Sequence, residues 1–111
     1  MEIADEPGER QRGLMFRQSM PANRGMLFIF STERRHGFWM QNTPMALDLI
    51  FIGSSGEVRA IAPGIPFSTA SISPDVRSQF VLELKSGTAQ KMGMKVGDKV
   101  HHPRIASAVA K

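Results

Sequence analysis

The chain is 111 residues long, 41% hydrophobic and 22% charged, with a formal net charge of +4 and no cysteine. That length suits one domain around one core, and the lack of cysteine excludes disulfide scaffolds, thiolate zinc sites, iron–sulfur clusters and cysteine nucleophiles. No uninterrupted apolar stretch approaches the roughly 20 residues that a membrane-crossing helix needs.

Glu2-Ile3-Ala4 is strand-like, and Asp5-Glu6-Pro7 reads as a helix start, with Asp5 as cap and the proline in the first turn. A short helix is expected over 6–15, weakened by Gly13 and docked by its end at Leu14, Met15 and Phe16. Ser19-Met20-Pro21-Ala22-Asn23 then turns the chain. The apolar run Gly25-Met26-Leu27-Phe28-Ile29-Phe30, bounded by turn residues, is the pattern of a strand covered on both faces. Gly37-Phe38-Trp39-Met40, after a charged turn at Glu33-Arg34-Arg35-His36, is expected to pair with it antiparallel. Leu47-Asp48-Leu49-Ile50-Phe51-Ile52 reads as a third buried strand, closed by Gly53-Ser54-Ser55-Gly56 into a hairpin whose Val58 and Ala60 face the core.

Residues 62–75 are rich in Pro, Ser and Gly, a composition shared by binding loops and disordered connections. Phe80, Leu82 and Leu84 alternate with Val81 and Glu83 as a further strand. Ser86 is expected to cap a helix over 88–92 ended by Gly93, and Lys99-Val100 to form a last strand. The tail after Pro103 is weakly patterned and expected to be frayed or loosely docked, leaving 1–103 as the compact domain. The whole predicts an α+β, mainly β fold: a curled antiparallel sheet or small barrel of six or seven short strands with two short helices.

After Leu84 six basic residues stand against one acidic residue. Such a quarter can meet nucleic acid or an anionic membrane surface. The lysines are spaced singly with no aromatic stacking partners, however, which is the pattern of a solvated basic face, so nucleic acid is not the expected partner. Thioethers such as those of Met15, Met20, Met26, Met40 and Met45 can hold a soft metal, but these residues lie in or beside apolar strands, where methionine is an ordinary core filler. His36 is expected to be solvated, and His101-His102 point to opposite faces. No metal is therefore expected. With no glycine-rich phosphate loop, Gly-x-Ser-x-Gly elbow or paired-histidine helix, no cofactor is expected either.

The sharpest feature is Trp39-Met40-Gln41-Asn42-Thr43 followed by Asp48, a run of hydrogen-bonding groups between apolar strands. Two readings stay open. In the structural one, Asn42 and Thr43 make the turn before Pro44, and Asp48 or Glu83 pairs with Arg12 or Arg17. In the functional one, Trp39 is a stacking platform while Asn42, Thr43 and Asp48 orient a small polar ligand, a sugar or peptide, edged by Arg17 and the loop around 68–73. A lone aspartate makes a weak case for acid–base catalysis. The leading expectation is thus a non-catalytic ligand-binding or accessory domain. One alternative is a hydrolase-like enzyme using Asp48; another is attachment to nucleic acid or a membrane surface through the basic quarter.

One series of motifs runs through nearly the whole chain: Arg12-Gly13-Leu14-Met15-Phe16-Arg17, Gly25-Met26-Leu27-Phe28, Phe38-Trp39-Met40-Gln41-Asn42-Thr43, Leu47-Asp48, Val81-Leu82-Glu83 and Gly97-Asp98. Together they resemble an uncharacterised prokaryotic family, domain of unknown function 192. The resemblance implies a compact, mostly β domain, often found behind a signal peptide or membrane anchor, and so an exported or periplasmic origin. It implies no activity.

Overall fold

The computed structural model describes residues 2–20 and 24–102; positions 21–23 of the turn expected at 19–23, and the expected tail beyond Pro103, lie outside the described residues. Five strands, β1 (Glu2–Ala4), β2 (Gly25–Arg34), β3 (Leu47–Ile52), β4 (Val58–Gly64) and β5 (Ser78–Lys85), form one sheet in the order β1-β2-β5-β3-β4. The central strand β5 runs antiparallel to β2 and β3, β4 is antiparallel to β3, and β1 is parallel to β2.

The mainly β, α+β expectation therefore holds, with two corrections. The sheet has five strands rather than six or seven, and it is mixed and open rather than antiparallel or closed into a barrel. Segment 37–40 does not join it, because both edges of β2 are taken by β1 and β5. Phe38 instead bridges Ile72, its amide donating at 2.9 Å and its carbonyl accepting at 2.7 Å. Lys99 likewise makes one bridge, to Glu57, and no strand.

Strands β2, β3 and β5 are apolar at successive positions because both faces of the sheet are covered. One face carries Met26, Phe28, Leu47, Leu49, Phe51 and Val81 beneath Leu14, Met20, Met40 and Met45. The other carries Leu27, Ile50, Ile52, Phe80, Leu82 and Leu84 beneath Ala89, with Met94 and Val100 packed at its margin. In β4 the register slips between Phe51 and Ile52, so Val58 opposes Ile52 and Ala60 opposes Phe51. The bulge sends Val58 to one layer and Ala60 to the other, where simple alternation had put both on one side.

Helix α1 spans Pro7–Arg12 rather than 6–15, because the chain leaves the helix at Gly13, which has φ 49°. Its N-cap is Glu6, not Asp5: the Glu9 carboxylate accepts the Glu6 amide at 3.2 Å and the Asp5 amide at 3.4 Å. The helix buries nothing itself and docks through Leu14 just past its end, but Phe16, expected to dock with it, is exposed. Helix α2 spans Thr88–Lys91 behind a left-handed Gly87. Its first turn is capped by Asp48, whose Oδ2 accepts the Ala89 amide at 3.0 Å, and not by Ser86.

Candidate functional site

On the face carrying Leu49 and Val81 the covering layer is incomplete, and a cleft of about 280 Å³ opens between α1, segment 37–43 and the sheet. Its lining sorts by depth. Leu14, Phe28 and Met40 are almost wholly buried, Phe38 and Arg10 are partly covered, and Arg12 and Trp39 are exposed. Phe38 fixes the floor by edge contacts to Phe28 and Phe51, with ring centroids 5.1 and 5.9 Å apart.

Glu83 is the unexpected member of this lining. It sits on the central strand opposite Met26 and Leu49, two neighbours that carry no charge. The residue is 5% exposed, and its carboxyl makes no hydrogen bond or ion pair among the described residues. Burial alone pushes its pKa up to about 8, so near neutrality it is a carboxylic acid that can both donate and accept.

Three loops are laced together around the mouth by main-chain bonds. The Phe16 amide donates to the Asn42 carbonyl at 2.6 Å, the Phe67 amide to the Thr43 carbonyl at 3.0 Å, and the Met40 amide to the Ser68 carbonyl at 2.9 Å. The proline- and serine-rich loop is thus tied to segment 40–43, but it contributes no residue to the cleft lining; its Thr69 and Ser71 border a separate depression beside Trp39. Phe16, Asn42 and Phe67 all have φ between 58° and 67°, a conformation that costs a bulky side chain of order 1–3 kcal/mol. Both phenylalanines are also largely exposed.

The residues expected to form the site separate into two groups. Trp39, Asn42 and Thr43 come together. Trp39 is 51% exposed and borders the cleft and two further depressions, one with Thr69 and Ser71 and one with Gln41 and Asn42. Thr43 is buried in the cleft wall and closes a turn, its amide donating to the Met40 carbonyl at 3.0 Å and its hydroxyl to the Gln41 carbonyl at 3.3 Å. Asn42 lies at the apex of that turn in the left-handed conformation.

Asp48 does not join them. Strand alternation turns it to the opposite face with Ile50 and Ile52, where it caps α2. Arg17 does not join them either: it makes a two-pronged ion pair with Glu2, not with Asp48 or Glu83, and so ties the segment after α1 to β1. That arginine holds the Glu2 carboxyl below the ordinary carboxylate range. His36, expected in solvent, is 6% exposed and stacked on Phe30 at 3.7 Å, and burial lowers its pKa. The sequence did hold a signal for Glu83, since it is the lone charge in an otherwise apolar run from Phe80 to Leu84.

Among curated proteins none matches this chain. Two solved structures are similar to it. A Sinorhizobium meliloti 1021 protein provisionally named a transcription regulator is 40% identical, with a TM-score of 0.86 over 88% of this chain and 77% of its own. A Novosphingobium aromaticivorans DSM 12444 protein of unknown function is 35% identical, with a TM-score of 0.87 over 91% of this chain and 73% of its own. The model of domain of unknown function 192, described as "Uncharacterized ACR", matches residues 1–102. The chain belongs to that family.

Proposed function

We propose that this chain is a non-catalytic binding domain whose small polar ligand, a sugar or a peptide fragment, enters the cleft beside Trp39. The observation that carries this reading is Glu83, a buried carboxyl on the central strand that borders the cleft with its hydrogen-bonding capacity unused. A ligand seated in the cleft can exchange a hydrogen bond with this carboxyl. Glu83 is also the one carboxyl group in the lining, which has no histidine, serine or lysine, so the lining favours binding over turnover. An enzyme built on Asp48 is disfavoured by position, because Asp48 faces the other layer.

The name given to the Sinorhizobium relative makes nucleic acid the competing partner. Neither described helix exceeds six residues, which disfavours a recognition helix laid in a major groove. No described helix is long and apolar enough to cross a membrane. The exported setting implied by the family resemblance belongs to the same proposal, and fractionation of cells expressing the natural gene product tests it.

Trp39 is the only tryptophan and tyrosine is absent, so long-wavelength ultraviolet emission reports on the cleft mouth alone. Titration with sugars and short peptides is expected to give a saturable emission change and a raised melting temperature with no product formed. A panel that moves neither signal overturns the reading. Binding of duplex DNA that weakens steeply with salt supports the competitor instead.

A further inference from the structure

We infer that the cleft selects small organic anions, molecules with an apolar body and one carboxylate, seated with the carboxylate at Arg10 and Arg12 and the body against Leu14, Phe28, Phe38 and Met40. The inference rests on the binding reading above and narrows its ligand class. The mouth carries two cations from the last turn of α1 and the floor is apolar, so the cleft is polarised along its depth. Arg10 is held in place by its Nη1, which donates to the Asp5 and Ile29 carbonyls at 2.6 and 3.1 Å, while its guanidinium lies 5.4 Å over the Phe30 ring. The Arg12 guanidinium lies 5.9 Å over the Phe16 ring at the strained rim. Two arginines oriented on aromatic faces present planar forks suited to a carboxylate.

Glu83 fits an anion and not a cation. Burial raises its pKa, and as a neutral acid in the same lining it donates a hydrogen bond into the cleft without repelling the ligand. The groups around it are few. Met26 and Leu49 across the strands are uncharged, the 37–43 wall contributes no ionisable side chain to the lining, and α1 contributes Arg10 and Arg12. His36 reaches the lining only through its stack on Phe30.

The test uses phenylacetate, phenylacetamide and phenethylamine, which share a body and differ in charge, and N-acetylphenylalanine beside its amide to separate a free acid from a peptide C-terminus. Each is titrated into the intact chain while Trp39 emission and the melting temperature are followed. The two carboxylates are expected to bind about tenfold more tightly than their amides and the amine at about pH 6.5, and to weaken by about tenfold near pH 9 as Glu83 ionises. Tighter binding of phenylacetate than of N-acetylphenylalanine assigns a free acid, and the reverse assigns a peptide end. Arg12→Ala is expected to weaken the carboxylates about fivefold while leaving phenylacetamide unchanged, and Glu83→Gln to keep binding at high pH. Equal or tighter binding of amide or amine overturns the anion inference and leaves the binding reading standing. Silence from all five compounds overturns the anion inference, and the binding reading then stands or falls with the sugar and peptide panel.

Discussion

A carboxyl buried among uncharged neighbours couples folding to pH, and in this chain that carboxyl is Glu83. Its folded pKa of about 8 lies above the ordinary value of 4.5, so between those limits the folded chain keeps a proton that the unfolded chain has released. The contribution of Glu83 to stability is therefore fully present below about pH 4.5, falls as pH rises with a slope approaching about 1.4 kcal/mol per pH unit, and levels off above about pH 8. Thermal melts across this range at fixed ionic strength should show the decline in the parent and lose it in Glu83→Gln. An unchanged slope in that variant would place the titrating group elsewhere. In the same melts His36 acts on the acid side: burial lowers its folded pKa, so the unfolded chain protonates first and stability drops as pH falls below the ordinary 6.5. The sequence placed Glu83 in a strand and offered it as an ion-pair partner of Arg12 or Arg17, but Arg17 pairs with Glu2. Its burial follows from tertiary structure: β2 and β3 take both edges of β5, and a packed layer covers each face of the sheet.

Among the elements, the apolar runs at 25–30, 47–52 and 80–84 were legible as strands because covered β-structure needs little more than a short hydrophobic stretch between turn residues. Helix positions were legible too, but their caps were not. The group that caps α2 is Asp48, 41 residues before the amide it accepts, and no local pattern announces so distant a partner. Asp48→Ala is expected to cost about 1 kcal/mol in chemical denaturation, the ordinary worth of a lost cap. Because Asp48 lies on the α2 layer, the ligand response of Trp39 should be unaffected. Lost binding at unchanged stability would instead return Asp48 to the site. Trp39, Asn42 and Thr43 were legible because three hydrogen-bonding types cluster between apolar runs; Arg10, Leu14 and Phe38 were not, since each resembles an ordinary helix or core residue until the chain brings them together.

At the level of the whole molecule, strand order was the least readable quantity. Segment 37–40 has the composition of a strand, but the place beside β2 goes to β1, a three-residue element that pairs parallel and is pinned by the Glu2–Arg17 ion pair. This short strand covers one edge of the ten-residue β2, whose bare N–H and C=O groups would otherwise invite a second chain. Removing residues 1–5 is expected to raise the sedimentation coefficient above that of the intact chain at matched concentration. An unaltered coefficient would show that the edge is protected by other means. The two-layer division also separates the molecule by role, with the α2 layer serving stability and the opposite layer holding the cleft.

The main-chain lacing of the three mouth loops has an evolutionary corollary. Bonds between amides and carbonyls survive most replacements of the side chains they carry, and the left-handed positions of Phe16 and Phe67 accept glycine or asparagine more readily than the residues they now hold. Relatives can therefore recolour the entrance, exchanging aromatic, amide or charged residues there, while the loops keep their path and the sheet beneath stays as it is. Variation across such a lineage would then be written at the rim, and kinship in the floor.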